Sequence, residues 1–127
     1  HKEKNNKEFI AYGTGSPLRQ LLYAEDMAEI TCLLLFNKSL TAGRDLINIS
    51  GEKERTIKYF IEKIGNVVGI NINKIKWDKT KSDGCFKKTI SNNVLKKILP
   101  DYKFTSLDKG LKETYEWFVE NYENCRK

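Results

Sequence analysis

Apolar residues recur along the chain at two different periods, and together they predict a mixed α/β unit. The clearest helical stripe is Ile57, Phe60, Ile61, Ile64 and Val68, one face of an amphipathic helix. Thr56 stands before it as an N-cap and Gly69 behind it as a stop. A second stripe, Leu107, Leu111, Tyr115, Phe118 and Tyr122, follows Ser106 and predicts a last helix of about 20 residues with an aromatic core face. Between them, Ser91 is expected to cap a short helix with Leu95, Ile98 and Leu99 inward, ended by Pro100. Earlier in the chain Glu25-Asp26 opens a helix, where carboxylates suit the free N–H groups and the positive dipole end. Met27, Ala28, Ile30, Thr31, Cys32, Leu34 and Leu35 leave that helix little polar face, so it is expected to be core.

Strand patterns fill the gaps. Phe9-Ile10-Ala11-Tyr12 is a short apolar run that stops at Gly13-Thr14-Gly15-Ser16-Pro17, a turn made by two glycines and a proline. Leu18 to Tyr23 resumes an extended pattern with Arg19 at its mouth. Leu46 to Ser50 alternates apolar and polar before Gly51, and Ile75 and Trp77 alternate with Lys74 and Lys76. The order is strand, strand, helix, strand, helix, strand, loop, short helix, long helix. It is an α/β arrangement without the first βαβ unit of a doubly wound sheet.

The loop, residues 78–89, carries the candidate chemistry. No apolar period runs through it, and Asp83-Gly84 is a turn pair. A turn there sends Asp83 to one side and returns Lys87 and Lys88 towards the loop base. One carboxylate acceptor and two ammonium donors suit a nucleoside diphosphate; a solvated charged loop is the other reading. Arg19 has the same two readings, a bidentate fork for phosphate or a surface ion pair.

Composition narrows the choice. A chain of 127 residues is one domain. Residues 51–100 hold twelve Lys/Arg against five acids, more than the whole net charge of +6. Such a basic middle serves nucleic acid, a phosphorylated small molecule or solubility alone, and no aromatic interleaving favours nucleic acid. No apolar run approaches a membrane span. Cys32, Cys85 and Cys125 are odd in number and far apart, and the one histidine is His1, so zinc ligands and a Cys-His pair are lacking. Free cytoplasmic thiols are the expectation. Tyr59 and Lys63 have a Tyr-x-x-x-Lys spacing, but no catalytic serine accompanies them, and the match is read as chance. The start, His1 to Lys7, has neither initiator Met nor apolar core, as expected of a fragment rather than a signal peptide.

Three blocks carry a family resemblance: Tyr12-Gly13-Thr14-Gly15-Ser16-Pro17-Leu18-Arg19 with Tyr23-x-x-Asp26-x-Ala28; Ile47 to Glu52 with Thr56-Ile57-Lys58; and Lys81 to Asn92 with Glu113 to Phe118. With them, from about Phe9 to Lys127, the chain resembles the C-terminal substrate-binding portion of the GDP-L-fucose synthase family, among the extended short-chain dehydrogenase/reductases. The resemblance implies an α/β fold whose Rossmann NADP half lies upstream. Residues 1–127 would then form a single GDP-sugar-binding fragment. It implies a cytoplasmic, homodimeric enzyme that epimerises C3 and C5 of GDP-4-keto-6-deoxy-D-mannose and reduces C4 with NADPH to give GDP-L-fucose, with no nucleic acid or membrane partner. By the same resemblance Tyr12 (usually Trp), Arg19, Asp83 and Lys88 bind the GDP-sugar. Catalytic and cofactor-binding residues lie upstream, so the fragment alone is expected to be inactive. Two alternatives stand beside this: a fragment of another nucleotide-sugar epimerase or dehydratase, and a basic non-enzymatic binding module.

Overall fold

Two small sheets, rather than one, organise the chain. The computed structural model describes residues 9–125; the expectations for His1 and the chain start fall outside them. Strand β1 (Ile10–Tyr12) pairs in parallel with β4 (Lys76–Asp78), setting Ala11 opposite Trp77 and Tyr12 opposite Asp78. Strand β2 (Leu18–Gln20) pairs antiparallel with β3 (Glu54–Thr56), setting Arg19 opposite Arg55. The glycine turn between β1 and β2 passes the chain from one sheet to the other.

Helix α3 (Ile57–Val68) starts where β3 ends. Its expected signals are both present: the Thr56 hydroxyl accepts from Tyr59 N–H at 3.1 Å, and Gly69 caps the end at φ 80°. Helix α5 (Leu107–Glu120) begins behind the Ser106 cap, is shorter than its aromatic stripe predicts, and packs on α3. Lys63 on α3 reaches Asp108 on α5 at 2.8 Å, so the lysine of the chance Tyr-x-x-x-Lys spacing serves this helix pair. Helix α4 (Asn93–Ile98) starts one residue later than expected, with Asn92 at the cap position, and Ser91 contributes only a 3.3 Å bond to Asn93 N–H. Ala11, Ile30, Phe60 and Leu95 are the buried apolar centre.

Two expectations fail here. Residues 46–50 are not a strand; they run without a ladder partner among the described residues, and Leu46 is 74% exposed. Alternation makes a segment able to pair, but a strand exists only where a neighbour completes its hydrogen bonds. The third strand forms instead at Glu54–Thr56, where the chain meets β2. Helix α1 (Ala24–Phe36), expected to be core, buries only Asp26 and Ile30, while Leu35 and Phe36 are largely exposed. Short helix α2 (Lys38–Thr41) follows it and covers little of that surface. An apolar composition shows what a helix can bury; the elements around it decide what it does bury. Among the described residues no helix is long and apolar enough to cross a membrane.

The start of α1 also departs from expectation. Its cap is Tyr23, with no side-chain capping bond. Asp26 turns instead to the segment before α5 and accepts from Thr105 N–H at 2.9 Å and Thr105 hydroxyl at 2.8 Å. Tyr23 lays its ring beside Gly110, where a Cβ would press on it. Burial, then Glu113 and Glu25, push the Tyr23 hydroxyl up to about 12. The Tyr-x-x-Asp pair of the motif is thus a lock between α1 and the C-terminal segment.

Candidate functional site

The residues singled out by sequence lie along one seam, where residues 12–20 run beside residues 78–90. Backbone pairing starts it: Gly13 N–H donates to Asp78 C=O at 2.9 Å, and Leu18 N–H to Phe86 C=O at 2.8 Å. Leu18 and Lys87 form an isolated parallel bridge, so residues 86–90 run along the side of β2 away from β3. Gln20 continues the seam by accepting from Ile90 N–H at 2.9 Å.

Tyr12 ends β1 with its side chain 68% exposed, presenting a free ring face beside the turn. Gly13 and Gly15 both have positive φ, and the seam explains why both are glycine. A Cβ on Gly13 would run into the Asp83 carboxylate, and one on Gly15 into the Trp77 ring and Lys58. The turn is filled on its inner side by protein.

Asp83 holds that turn. Its carboxylate accepts from Thr14 N–H and Thr14 hydroxyl, both at 2.6 Å. These bonds, the hydroxyl first, hold the Asp83 carboxyl below its ordinary value of 3.8. A lowered folded-state pKa means that this stabilisation is complete above 3.8 and is lost as pH falls through the lower folded value. Wild-type thermal stability should therefore fall on acidification from about pH 6 to about pH 2.5. Asp83→Asn should melt lower at neutral pH and show a smaller acid-dependent fall. Identical pH profiles for the two proteins would remove this role. The Gly15 N–H adds a third, weaker contribution to the same carboxylate.

Arg19, half-buried in β2, donates to Leu18 C=O at 2.6 Å and across the seam to Cys85 C=O at 2.9 Å. These neutral partners orient the guanidinium without neutralising it. Lys87 and Lys88 separate. Lys87 lies 3.5 Å from Glu54 Oε2, an oxygen with no hydrogen bond of its own, so it is not the free donor expected. Lys88 is exposed and pairs with no carboxylate among the described residues.

Sequence reasoning missed Arg55. Only the β2–β3 register sets it against Arg19. The available signal was its place just before the Thr56 cap, where an extended residue is expected. A cavity of about 640 Å³ opens beside this ladder and shares Arg55 with it, walled further by Leu21, Tyr23, Tyr59, Phe104 and Leu111. It includes none of Tyr12, Arg19, Asp83 or Lys88.

The fold is that of the C-terminal part of an extended short-chain dehydrogenase/reductase. The chain superposes on dTDP-glucose 4,6-dehydratase of Bacillus anthracis with TM-score 0.79 at 22% identity, over 97% of this chain and 38% of that one, a likeness of fold. Within that class it matches the C-terminal part of GDP-L-fucose synthases. It is 36% identical to the GDP-L-fucose synthase of Dictyostelium discoideum over 98% of this chain and 38% of that protein. A GDP-L-fucose synthetase of Naegleria fowleri, solved bound to NADP, superposes with TM-score 0.90 at 32% identity, over 99% of this chain and 39% of that one. The chain thus spans well under half the length of the relatives it matches. No protein-family model matches it.

Proposed function

We propose that the chain is the GDP-sugar-binding part of a cytoplasmic, homodimeric, NADPH-dependent GDP-4-keto-6-deoxy-D-mannose 3,5-epimerase/4-reductase, which makes GDP-L-fucose. In this reading residues 1–127 are one binding unit and the cofactor domain precedes them. The observation that carries it is the Arg19 guanidinium at the seam, held by two carbonyls and by no carboxylate among the described residues. Arg19 offers its remaining N–H groups to the diphosphate as a planar fork, and Lys88 adds a mobile point charge. Tyr12 gives a ring face to the nucleoside or sugar, and the Asp83 carboxylate, held by Thr14 and Gly15, accepts from its donors. Charge on the diphosphate offsets charge on the site, while the seam fixes the ligand's register.

NADPH would supply the hydride for the reduction. The residues of this chain do not fit it: the Gly13–Gly15 turn is filled by Asp83, Trp77 and Lys58, leaving no cradle for a phosphate there. Hydride and proton transfer are therefore assigned to the preceding part of the protein.

The test is a binding screen of GDP-, UDP- and dTDP-sugars against the complete protein. A GDP-sugar should bind most tightly. Preference for a UDP- or dTDP-sugar would make this a different nucleotide-sugar enzyme. Binding of RNA with steep salt dependence, indifferent to GDP, would favour the basic-module alternative.

A further inference from the structure

Arg19 and Arg55 are direct cross-strand partners in the β2–β3 ladder. Opposed residues of an antiparallel pair project from the same face, roughly 4.5–5.5 Å apart at Cβ, and like charges there are destabilising. Among the described residues neither arginine pairs with a carboxylate that would relieve this. The acid next along β3, Glu54, belongs to the other face and is spent on Lys87.

Each guanidinium is instead held in place by neutral groups. Arg55 donates to Glu54 C=O at 2.8 Å and lies over the Tyr59 ring, 5.6 Å from its centroid. Arg19 leans the other way, to Cys85 C=O. The forks diverge, and most of their five N–H donors are unused. On the far side of β2, the Leu18–Lys87 bridge brings Lys88 level with Arg19, one residue further along both strands. Alternation gives Arg55 and Arg19 a common face.

We propose that Arg55 is an anion-binding residue of this site, so that Arg19 and Arg55 each take one phosphate of the nucleotide-sugar diphosphate. This rests on the nucleotide-sugar reading of the seam. A bound diphosphate removes the cross-strand repulsion, which is strongest in the ligand-free protein. The cation–π contact orients Arg55 before ligand arrives, so little side-chain freedom is lost on binding.

The test uses the complete protein, with GDP and GMP as calorimetric probes and thermal melts without ligand. Arg55→Gln should weaken GDP about tenfold and GMP less, because GMP has one phosphate to lose contact with. It should leave the ligand-free Tm unchanged or raise it, since a like-charge pair is removed. Arg55→Lys should recover part of the GDP affinity. A GDP affinity within about twofold of wild type for Arg55→Gln overturns the inference. So does an equal loss for GDP and GMP with a lowered ligand-free Tm, which marks a structural role. If Arg19→Ala loses GDP while Arg55→Gln does not, the inference fails and the nucleotide-sugar site stands. If the wild-type protein does not bind GDP, both fall.

Discussion

Arg19→Ala in the complete protein is expected to raise KM for the GDP-sugar by about 10- to 100-fold while changing kcat far less. A hydrogen bond to a charged partner is worth about 1.5–3 kcal/mol, and the net loss of one such bond corresponds to this rise, since about 1.4 kcal/mol is tenfold. Contact with the diphosphate is the same in ground and transition states, because the reacting carbons are on the sugar. Its loss therefore appears in KM. Arg19→Lys should fall between, keeping the charge but losing the fork. Lys88→Ala should be milder, about two- to fivefold, since an exposed flexible ammonium pairs weakly. Arg19 also bonds Leu18 and Cys85 carbonyls, so melts must accompany the kinetics. A kcat loss with unchanged KM would show that Arg19 acts elsewhere, and unchanged kinetics in both variants would remove the site.

Asp26→Ala should be the most destabilising change predicted, about 2–4 kcal/mol in denaturant unfolding. The side chain is 5% exposed, and its carboxylate satisfies the Thr105 N–H and hydroxyl. The Tyr102 hydroxyl lies 3.4 Å from Asp26 and bonds Glu29 at 2.9 Å. Burial, with Glu29 next, raises the Tyr102 hydroxyl well above its ordinary 10.0, so it stays a donor. Truncation leaves Thr105 donors unpaired in a half-buried place and frees the start of α1 from the C-terminal segment. Thr105→Val should cost about 1 kcal/mol alone and much less in the Asp26→Ala background, because both act through one contact. A loss below about 0.5 kcal/mol for Asp26→Ala would mean that water replaces the carboxylate without strain.

Much of the local order whose cause lay within four residues was legible, the caps of α1 and α4 excepted. The stripe of α3, its Thr56 cap and its Gly69 stop are all i to i+4 relations, and all three stand where the pattern puts them. The Ser106 cap and the positive φ of Gly84 were readable for the same reason, although the hydrogen-bonded turn of the loop falls at Lys79–Thr80 rather than at Asp83-Gly84. α5 and α4 were found with shifted ends, since fraying and competing turn bonds such as Ser91 to Asn93 move a boundary at little cost. The resemblance pointed to Tyr12, Arg19, Asp83 and Lys88, but not to how the chain connects them.

What the sequence determined by itself was the four longer helices, the glycine turn, the charged loop and the likeness to the C-terminal part of GDP-L-fucose synthases. The tertiary structure alone decided which charges stay free. Lys87 and Lys88 are neighbours with the same chemistry, yet Glu54 takes one and leaves the other. Asp26 resembles a helix-start carboxylate but answers to Thr105, 79 residues away. Arg55 passes for a surface residue until β3 sets it against Arg19. Residues 46–50 carry a strand pattern but have no ladder partner among the described residues. The physical reason is common to all four. Side-chain period and capping are satisfied within one turn of chain, whereas a hydrogen-bond or ion-pair partner depends on which distant segment the fold brings alongside.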